Sequence, residues 1–557
     1  MADLTLTMLN KLKLFLGLVL LLAVPLSYAQ NISPDKQGQA AIEEAYQAIL
    51  ERYVAEIDPR KLSDAAIEGM LRELDPYSEY IYDGESNRID DITTGEYGGV
   101  GIHLGRMNDT LIAVSPMDGT PAFLQGILAG DRIIRIDSVW TKGLRIADAA
   151  KLMRGPVGKP VTLSIKRAGD QDILEFELIR EMIKVPDISY SGLLRDNVGY
   201  IRLANFTKYS GEDLERAVRK LNKLNLIGLI LDVRGNPGGL LNASLMSADL
   251  FIDKGELLLE TRGRVTQSKR QYYSRRNPIV RRELPVAILV DGGSASASEI
   301  LSGILQDYDR AIVIGEPTYG KGLVQTITRL GPETRLKLTT AKYYLPSGRL
   351  IQKRPIAEAV LYEDLLESDA SGGFYSENNR EFDSGIGVQP DLEIEPLALS
   401  DFERGIWRKR LFYKYALDYK TKNPELMLPI SLEDAQIDSF YQWMVSIDAF
   451  PTSSMKEWID NGRDLVDSSA VSFQKLDELR HQLLALALEQ QEEILAANRI
   501  QIINGLEIEL ANVIGGTGAR VAASLKYDPV VQQSIDLLNS REEVLEILAG
   551  TAKPSDY

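Results

Sequence analysis

Residues 315–325 read GEPTYGKGLVQ, and the element that follows Lys321 decides the fold around it. A Gly-rich turn ending in Lys can cradle nucleotide phosphates, but only with Ser or Thr directly after the Lys and a helix opening at the turn. Gly322 stands in the first of these places. The second is taken by LVQTITRLGPETRLKLTTAKYYL, residues 323–345, whose β-branched residues in near alternation predict two strands around a Gly-Pro turn. No nucleotide is expected here, and Lys321 is left at the start of a strand between two glycines.

Outward from this turn, strands and helices alternate from about 198 to 396: VGYIRLANF, GEDLERAVRKLNKL, IGLILDVRG, LLNASLMSADLFI, PVAILVDGG, SASEILSGILQDYD, AIVIGE. Apolar strands without polar alternation, each feeding a helix, predict a layered α/β domain with much parallel sheet. Two strand-to-helix turns carry chemistry-bearing residues. In DGGSASASEI, 291–300, a Ser at the sheet's carboxyl edge would lie beside helix amides able to hold an oxyanion. Ser296-x-x-Glu299 is equally a capping box, and any of Ser294, Ser296 or Ser298 can cap the helix. In DVRGNPGG, 232–239, Gly238 and Gly239 allow main-chain N–H groups to face a ligand. A lysine amine in apolar surroundings has a lowered pKa and can take a Ser proton, so Lys321 with a Ser across the crevice would make a Ser-Lys dyad.

The rest of the chain is organised around this core. Residues 36–80 have helical periodicity closed by Asp75-Pro76, and 95–181 hold short alternating runs with one or two helices. Segment 354–386, rich in Glu, Asp, Ser, Gly and Tyr, reads as an inserted loop, and from 397 the chain is almost wholly helical. Lys11 and Lys13 precede the apolar run 14–24, and Ser27-Tyr28-Ala29 follows, which predicts a signal peptide over 1–29 and an exported, periplasmic protein. The alternative is a membrane anchor, for which the run is short.

Composition excludes other classes. The 557 residues carry a net charge of -17, so neither nucleic acid nor an anionic membrane surface attracts the chain as a whole. With no Cys there is no disulfide, thiol catalysis or Cys-ligated zinc. His103, in an alternating run, and His481, in a helical run, read as packing or surface residues, so a hydrolase here has a base other than His; no metal or cofactor is expected.

Taken together, these stretches resemble the carboxy-terminal processing peptidases, or tail-specific proteases, of the S41 serine peptidases. The resemblance spans roughly 36–396 and rests on YGGVGI at 97, LAGDRIIRID at 128, LMRGPVGKPVTL at 152, LDVRGNPGG at 231, GSASASEILSGILQD at 293, GEPTYGKGLVQ at 315, YYLPSGRLIQ at 343 and GVQPD at 387. It implies Ser296 as nucleophile, Lys321 as general base 25 residues later, Gln325 orienting the amine, and the amides of Gly238 and Ala297 as oxyanion hole. Asp307 matches a position implicated in some members, beside a plain helix-end or surface role.

The resemblance also implies a PDZ domain that binds chain ends by strand addition, with Gly99, Val100, Gly101 and Ile102 receiving the terminal carboxylate. The expected fold is therefore multidomain α/β: signal peptide 1–29, helical region 30–94, PDZ domain 95–183, a crotonase/ClpP-like peptidase core 184–396 with the 354–386 insertion, and an all-helical extension 397–557. Protein substrates with exposed C-terminal tails are the expected partners, and the extension, which matches no motif of the family, could dimerise, dock on the PDZ domain or recruit an adaptor. The competing expectation is a non-catalytic tail-binding or ligand-binding protein on the same fold.

Overall fold

The computed structural model describes residues 34–551 apart from 83–92, 108, 169, 333, 354–372, 396–397, 448, 450–477, 479–481, 484–485 and 487–492. The signal peptide, His481 and the first part of the 354–386 insertion lie outside the described residues. The chain divides into two compact units. In the smaller, α1 (Pro34–Arg52) and α2 (Pro59–Arg72) precede β1 (Glu79–Ile81). Asp58 caps α2 by accepting the Arg60 amide at 2.9 Å, with Pro59 at the first helical position. β1 pairs antiparallel, Glu79 opposite Lys337 and Ile81 opposite Arg335.

The larger unit begins with a β-rich module: β2 (Glu96–Gly99), β3 (Ile102–Met107), β4 (Thr110–Pro116), α3 (Pro121–Leu124), β5 (Arg132–Ile136), β6 (Val139–Trp140), α4 (Ile146–Met153), β7 (Pro160–Lys166), β8 (Leu174–Ile179) and β9 (Glu181–Lys184). Its sheet runs β3-β4-β5-β7-β8, with β6 on β5 and a separate β2–β9 ladder. Leu111, Ile133, Ile136, Ala149, Leu163 and Ile165 form its core at zero exposure. Among the described residues, β3 is the end strand of that sheet, with α4 packed beside it.

The α/β core follows: β10 (Ile188–Leu193), β11 (Val198–Leu203), α5 (Ser210–Leu221), β12 (Gly228–Asp232), α6 (Leu241–Ala248), β13 (Leu257–Arg262), β14 (Arg270–Tyr273), β15 (Val286–Val290), α7 (Ala297–Asp307), β16 (Ile312–Gly315), β17 (Leu323–Arg329), β18 (Arg335–Tyr344), β19 (Phe374–Tyr375), β20 (Glu381–Phe382) and β21 (Leu392–Glu393). The central sheet is ordered β10-β11-β12-β15-β16-β21, parallel from β11 onward. Every residue of β12 and β15 is buried, as continuous apolar runs between two layers require. Residues from α5, α6 and α7 cover one face.

Within the expected insertion, 373–386 is not an open loop but a β19–β20 hairpin. Arg380 fixes it by reaching Asp309 and Asp391, each at 2.6 Å, and Arg349 stacks on Phe382 at 4.0 Å. One charged residue of this loop-like stretch, Arg380, is thus spent on buried ion pairs.

Beyond 397 come α8 (Asp401–Arg408), α9 (Leu411–Lys422), α10 (Asp434–Ser446), α11 (Arg499–Ser524), α12 (Pro529–Asn539) and α13 (Arg541–Leu548). They serve two different places. The first four pack on one another through Phe412, Tyr415, Phe440, Met444 and Leu506, and α11 lies against β4 of the PDZ-type sheet. Tyr413 donates to the Val114 carbonyl at 2.9 Å, and Leu417 lies over Gly130, where a Cβ would come within 2.7 Å of it. By contrast, Val530, Val531, Ile535, Leu538, Val544 and Ile547 close the second face of the central sheet over Tyr200, Ile230, Leu289 and Ile314. The layered core is completed by the last helices of the chain.

Candidate active site

Loops after the neighbouring parallel strands β12, β15 and β16 meet at the carboxyl edge of the sheet, the usual place for a ligand crevice. Of the three serines in 291–300, Ser294 is fully buried and donates to Val233 O at 2.9 Å, and Ser298, equally buried, donates to Asn236 O at 2.8 Å. Both hydroxyls serve to bind this loop to the 232–239 loop. Ser296 alone is half-exposed. It stands at the head of α7 with φ 53° and ψ -109°, a positive-φ conformation that costs a non-glycine residue about 1–3 kcal/mol. Such a strained strand-to-helix turn presents its side chain to the crevice.

Glu299 opposes that strain. Its carboxylate is completely buried and accepts the Ser296 amide at 2.8 Å, which is one half of a capping box. It does more than cap, since the same Oε2 accepts the Lys321 amide at 2.9 Å, while Oε1 accepts the Gly320 amide at 2.7 Å and the Thr318 hydroxyl at 2.6 Å. One carboxylate thus holds the backbones of Ser296 and Lys321 together. Burial pushes the Glu299 carboxyl above its ordinary range, and the four donors pull it back toward the ionised form. On the opposite side, the buried Tyr343 hydroxyl donates to Lys321 O and lies 3.3 Å from Ser296 O.

The Lys321 turn is further laced to 350–353 and 387–388. Gly320, at φ +89°, leaves room for Lys353, whose Cγ would lie 2.3 Å from an added Cβ, and the Gly322 amide donates to Gln352 Oε1 at 2.9 Å. Strand β17 follows directly, as the alternation predicts. Lys321 itself is half-buried. Gln325, on β17, makes long contacts with Leu323 O at 3.5 Å and Thr339 Oγ1 at 3.4 Å. Asp307 ends α7, the helix-end role among the expectations, but buried rather than at the surface, in an ion pair with Arg349 at 2.8 Å.

The 232–239 loop lies directly against the Ser296 turn. A Cβ on Gly238, at φ +94°, would come within 2.5 Å of Ala295 O, 2.8 Å of Ala297 N and 2.9 Å of Ser296 Cβ, so only glycine fits. The Gly238 amide donates to Asn236 Oδ1 at 2.9 Å, and Asn236 O also accepts the Ala295 amide at 3.1 Å. At the loop's root, fully buried Asp232 accepts Tyr200 Oη at 2.6 Å, Arg202 at 2.8 Å and Arg234 at 2.6 Å. Burial alone would raise the Asp232 carboxyl; Arg234 and Arg202 outweigh it and hold the group below its ordinary value.

In the PDZ-type module, Gly99 ends β2, Ile102 opens β3 and Val100 is buried between them. The carbonyls of Val100 and Gly101 turn inward to the Ala122 amide at 3.0 Å and the Met117 amide at 2.9 Å. His103 stands exposed on β3. The sequence offered Glu299 only as a cap, Tyr343 and Asn236 only as members of motifs, and no sign that residues beyond 525 join the core.

Family models match the chain at four places: Peptidase family S41 at 197–361, PDZ domain at 112–167, Activating protease CtpB N-terminal domain at 26–85, and Probable PDZ-protease, C-terminal helical domain at 402–538. A carboxy-terminal-processing protease of Bartonella bacilliformis is 38% identical over 374 residues, covering 66% of this chain and 85% of the relative. Carboxy-terminal processing protease CtpB of Bacillus subtilis is 34% identical over 341 residues, 61% of this chain and 70% of that one. Among solved structures, the photosystem II D1 C-terminal processing protease aligns with 26% identity over 64% of this chain and 93% of that chain, at a TM-score of 0.34. With a relative 38% identical matched over 85% of its length, and PDZ and S41 family models matched one after the other along this chain, the protein belongs to the carboxy-terminal processing proteases of the serine-type peptidase family S41.

Proposed function

We propose that this protein is an exported endopeptidase that selects proteins by their exposed C-terminal tails and cleaves them with a Ser296–Lys321 dyad. The observation that carries this reading is the shared Glu299 oxygen, which joins the backbones of Ser296 and Lys321, while the two neighbouring serines are spent on structure. Ser296 Oγ attacks the peptide carbonyl as the neutral Lys321 amine takes its proton and passes it to the leaving amine. Water then hydrolyses the ester. Gly238 and Ala297 amides receive the oxyanion, Gln325 orients the amine, and the loop Gly99-Val100-Gly101-Ile102 takes the tail's carboxylate beside the β3 edge.

The purified chain is tested against a protein bearing an apolar C-terminal tail. Ser296→Ala and Lys321→Ala are each expected to abolish cleavage while circular dichroism stays native, and wild-type kcat/KM should rise with pH as the amine loses its proton. Cleavage surviving in either variant, or a flat pH profile, refutes the dyad. A binding protein without catalysis draws on one observation, that the Gly238 amide is already engaged by Asn236. Failure of an active-site serine probe to label a wild type that still binds tail peptides would favour it.

A further inference from the structure

The 232–239 loop is held from outside the matched S41 region. Buried Asp232 and its two part-buried arginines set one negative charge against two positive ones, an imbalance that a partly desolvated site tolerates poorly. Among the described residues, the second carboxylate comes from Asp528, almost three hundred positions along the chain. Arg234 Nη2 reaches Asp528 Oδ2 at 2.8 Å and Nη1 reaches Oδ1 at 3.2 Å, a two-pronged pair with the Arg234 side chain 15% exposed and that of Asp528 21%. Asp528 is fixed in turn as the cap of α12, accepting the amides of Val530 at 3.0 Å and Val531 at 3.2 Å. Along its length, α12 is tied down by Arg195, which reaches Gln532 Oε1 at 3.0 Å and Asp536 at 2.5 Å.

Arg234 is clamped on its backbone as well. Its amide donates to Asp232 Oδ1 at 2.9 Å and its carbonyl accepts from Arg202 at 3.0 Å. Four residues later, Gly238 lies against the Ser296 turn with no space to spare. A shift at Arg234 therefore propagates to the Gly238 amide through a short, tightly bonded loop.

We propose that Asp528 is a positioning residue for catalysis: by neutralising and orienting Arg234, the C-terminal extension sets the register of the Gly238 amide against Ser296. The inference rests on the reading of Gly238 as an oxyanion donor. Asn caps helices as well as Asp does, so Asp528→Asn removes the charge while keeping the cap. In the full chain, Asp528→Asn is expected to lower kcat about 10- to 100-fold, less than the 10² to 10³ typical of deleting an oxyanion donor. KM and tail-peptide binding should stay within about two-fold, as for an interaction made only in the transition state.

Asp528→Glu, which restores the charge, should recover most of kcat, a rescue that a purely structural role would not give. Asp528→Ser, a second capping variant, takes the same measurement if the Asn variant does not fold. Wild-type kcat in Asp528→Asn, or parallel loss of kcat and tail binding, overturns the proposal. Running Ser296→Ala alongside separates the two claims. Cleavage surviving there sinks the reading of the site, whereas cleavage lost there but intact in Asp528→Asn sinks only the role of Asp528.

Discussion

At the scale of single residues, the site depends on Glu299 having two acceptor oxygens and no donor. A glutamine there must place its NH2 at one of them. In the better orientation it confronts the Gly320 amide, and in the worse one it confronts the amides of both Ser296 and Lys321. Glu299→Gln is therefore expected to move the Lys321 turn and lower kcat by about 10²-fold, the effect of a displacement on the order of 1 Å. Steady-state kinetics on a folded variant would check this, and unchanged kcat would remove Glu299 from the positioning scheme. The sequence contains this residue in plain view, three positions after Ser296, but local spacing reports only the capping bond. The other three donors come from 318–321 and are brought near by the chain's return through β16.

At the scale of elements, α12 stands out because it belongs by sequence to the helical extension and by packing to the sheet. Ile535 is 1% exposed in the cluster that covers β11, β12, β15 and β16. Truncating such a side chain costs about 2–5 kcal/mol, and because the cluster is part of the core rather than of a separate appendage, the loss should fall on the main unfolding transition. Urea unfolding of Ile535→Ala, followed by intrinsic fluorescence and by loss of activity, should show both midpoints moving together. An unchanged activity midpoint would mean that α12 unfolds on its own. The β strands were readable from their apolar runs, and so was the strand after Gly322. The hairpin at 373–386 was not, because the ion pairs of Arg380 decide it and one partner, Asp309, lies 71 positions away.

At the scale of the whole molecule, the extension after 397 is not one appended body: its first helices rest on the PDZ-type sheet through Tyr413, and its last close the catalytic core. Ending the chain before Leu525 would strip one face from a sheet whose β12 and β15 are apolar on both sides. An exposed apolar surface of that kind drives association, so the shortened protein is expected to be insoluble or unfolded; a soluble, active product would show that the sheet tolerates an open face. The sequence by itself determined the order of modules, the α/β alternation and the crevice-facing stretches around Ser296, Lys321 and Gly238. These depend on short-range periodicity, glycine geometry and strand-to-helix turns, all of which are local. Only the tertiary structure decided which serine stays half-exposed, that Glu299 and Tyr343 join the two halves of the site, and that Asp528 completes the charge of a loop almost three hundred residues away. Those outcomes rest on buried hydrogen bonds and charge balance between distant segments, which no local pattern encodes.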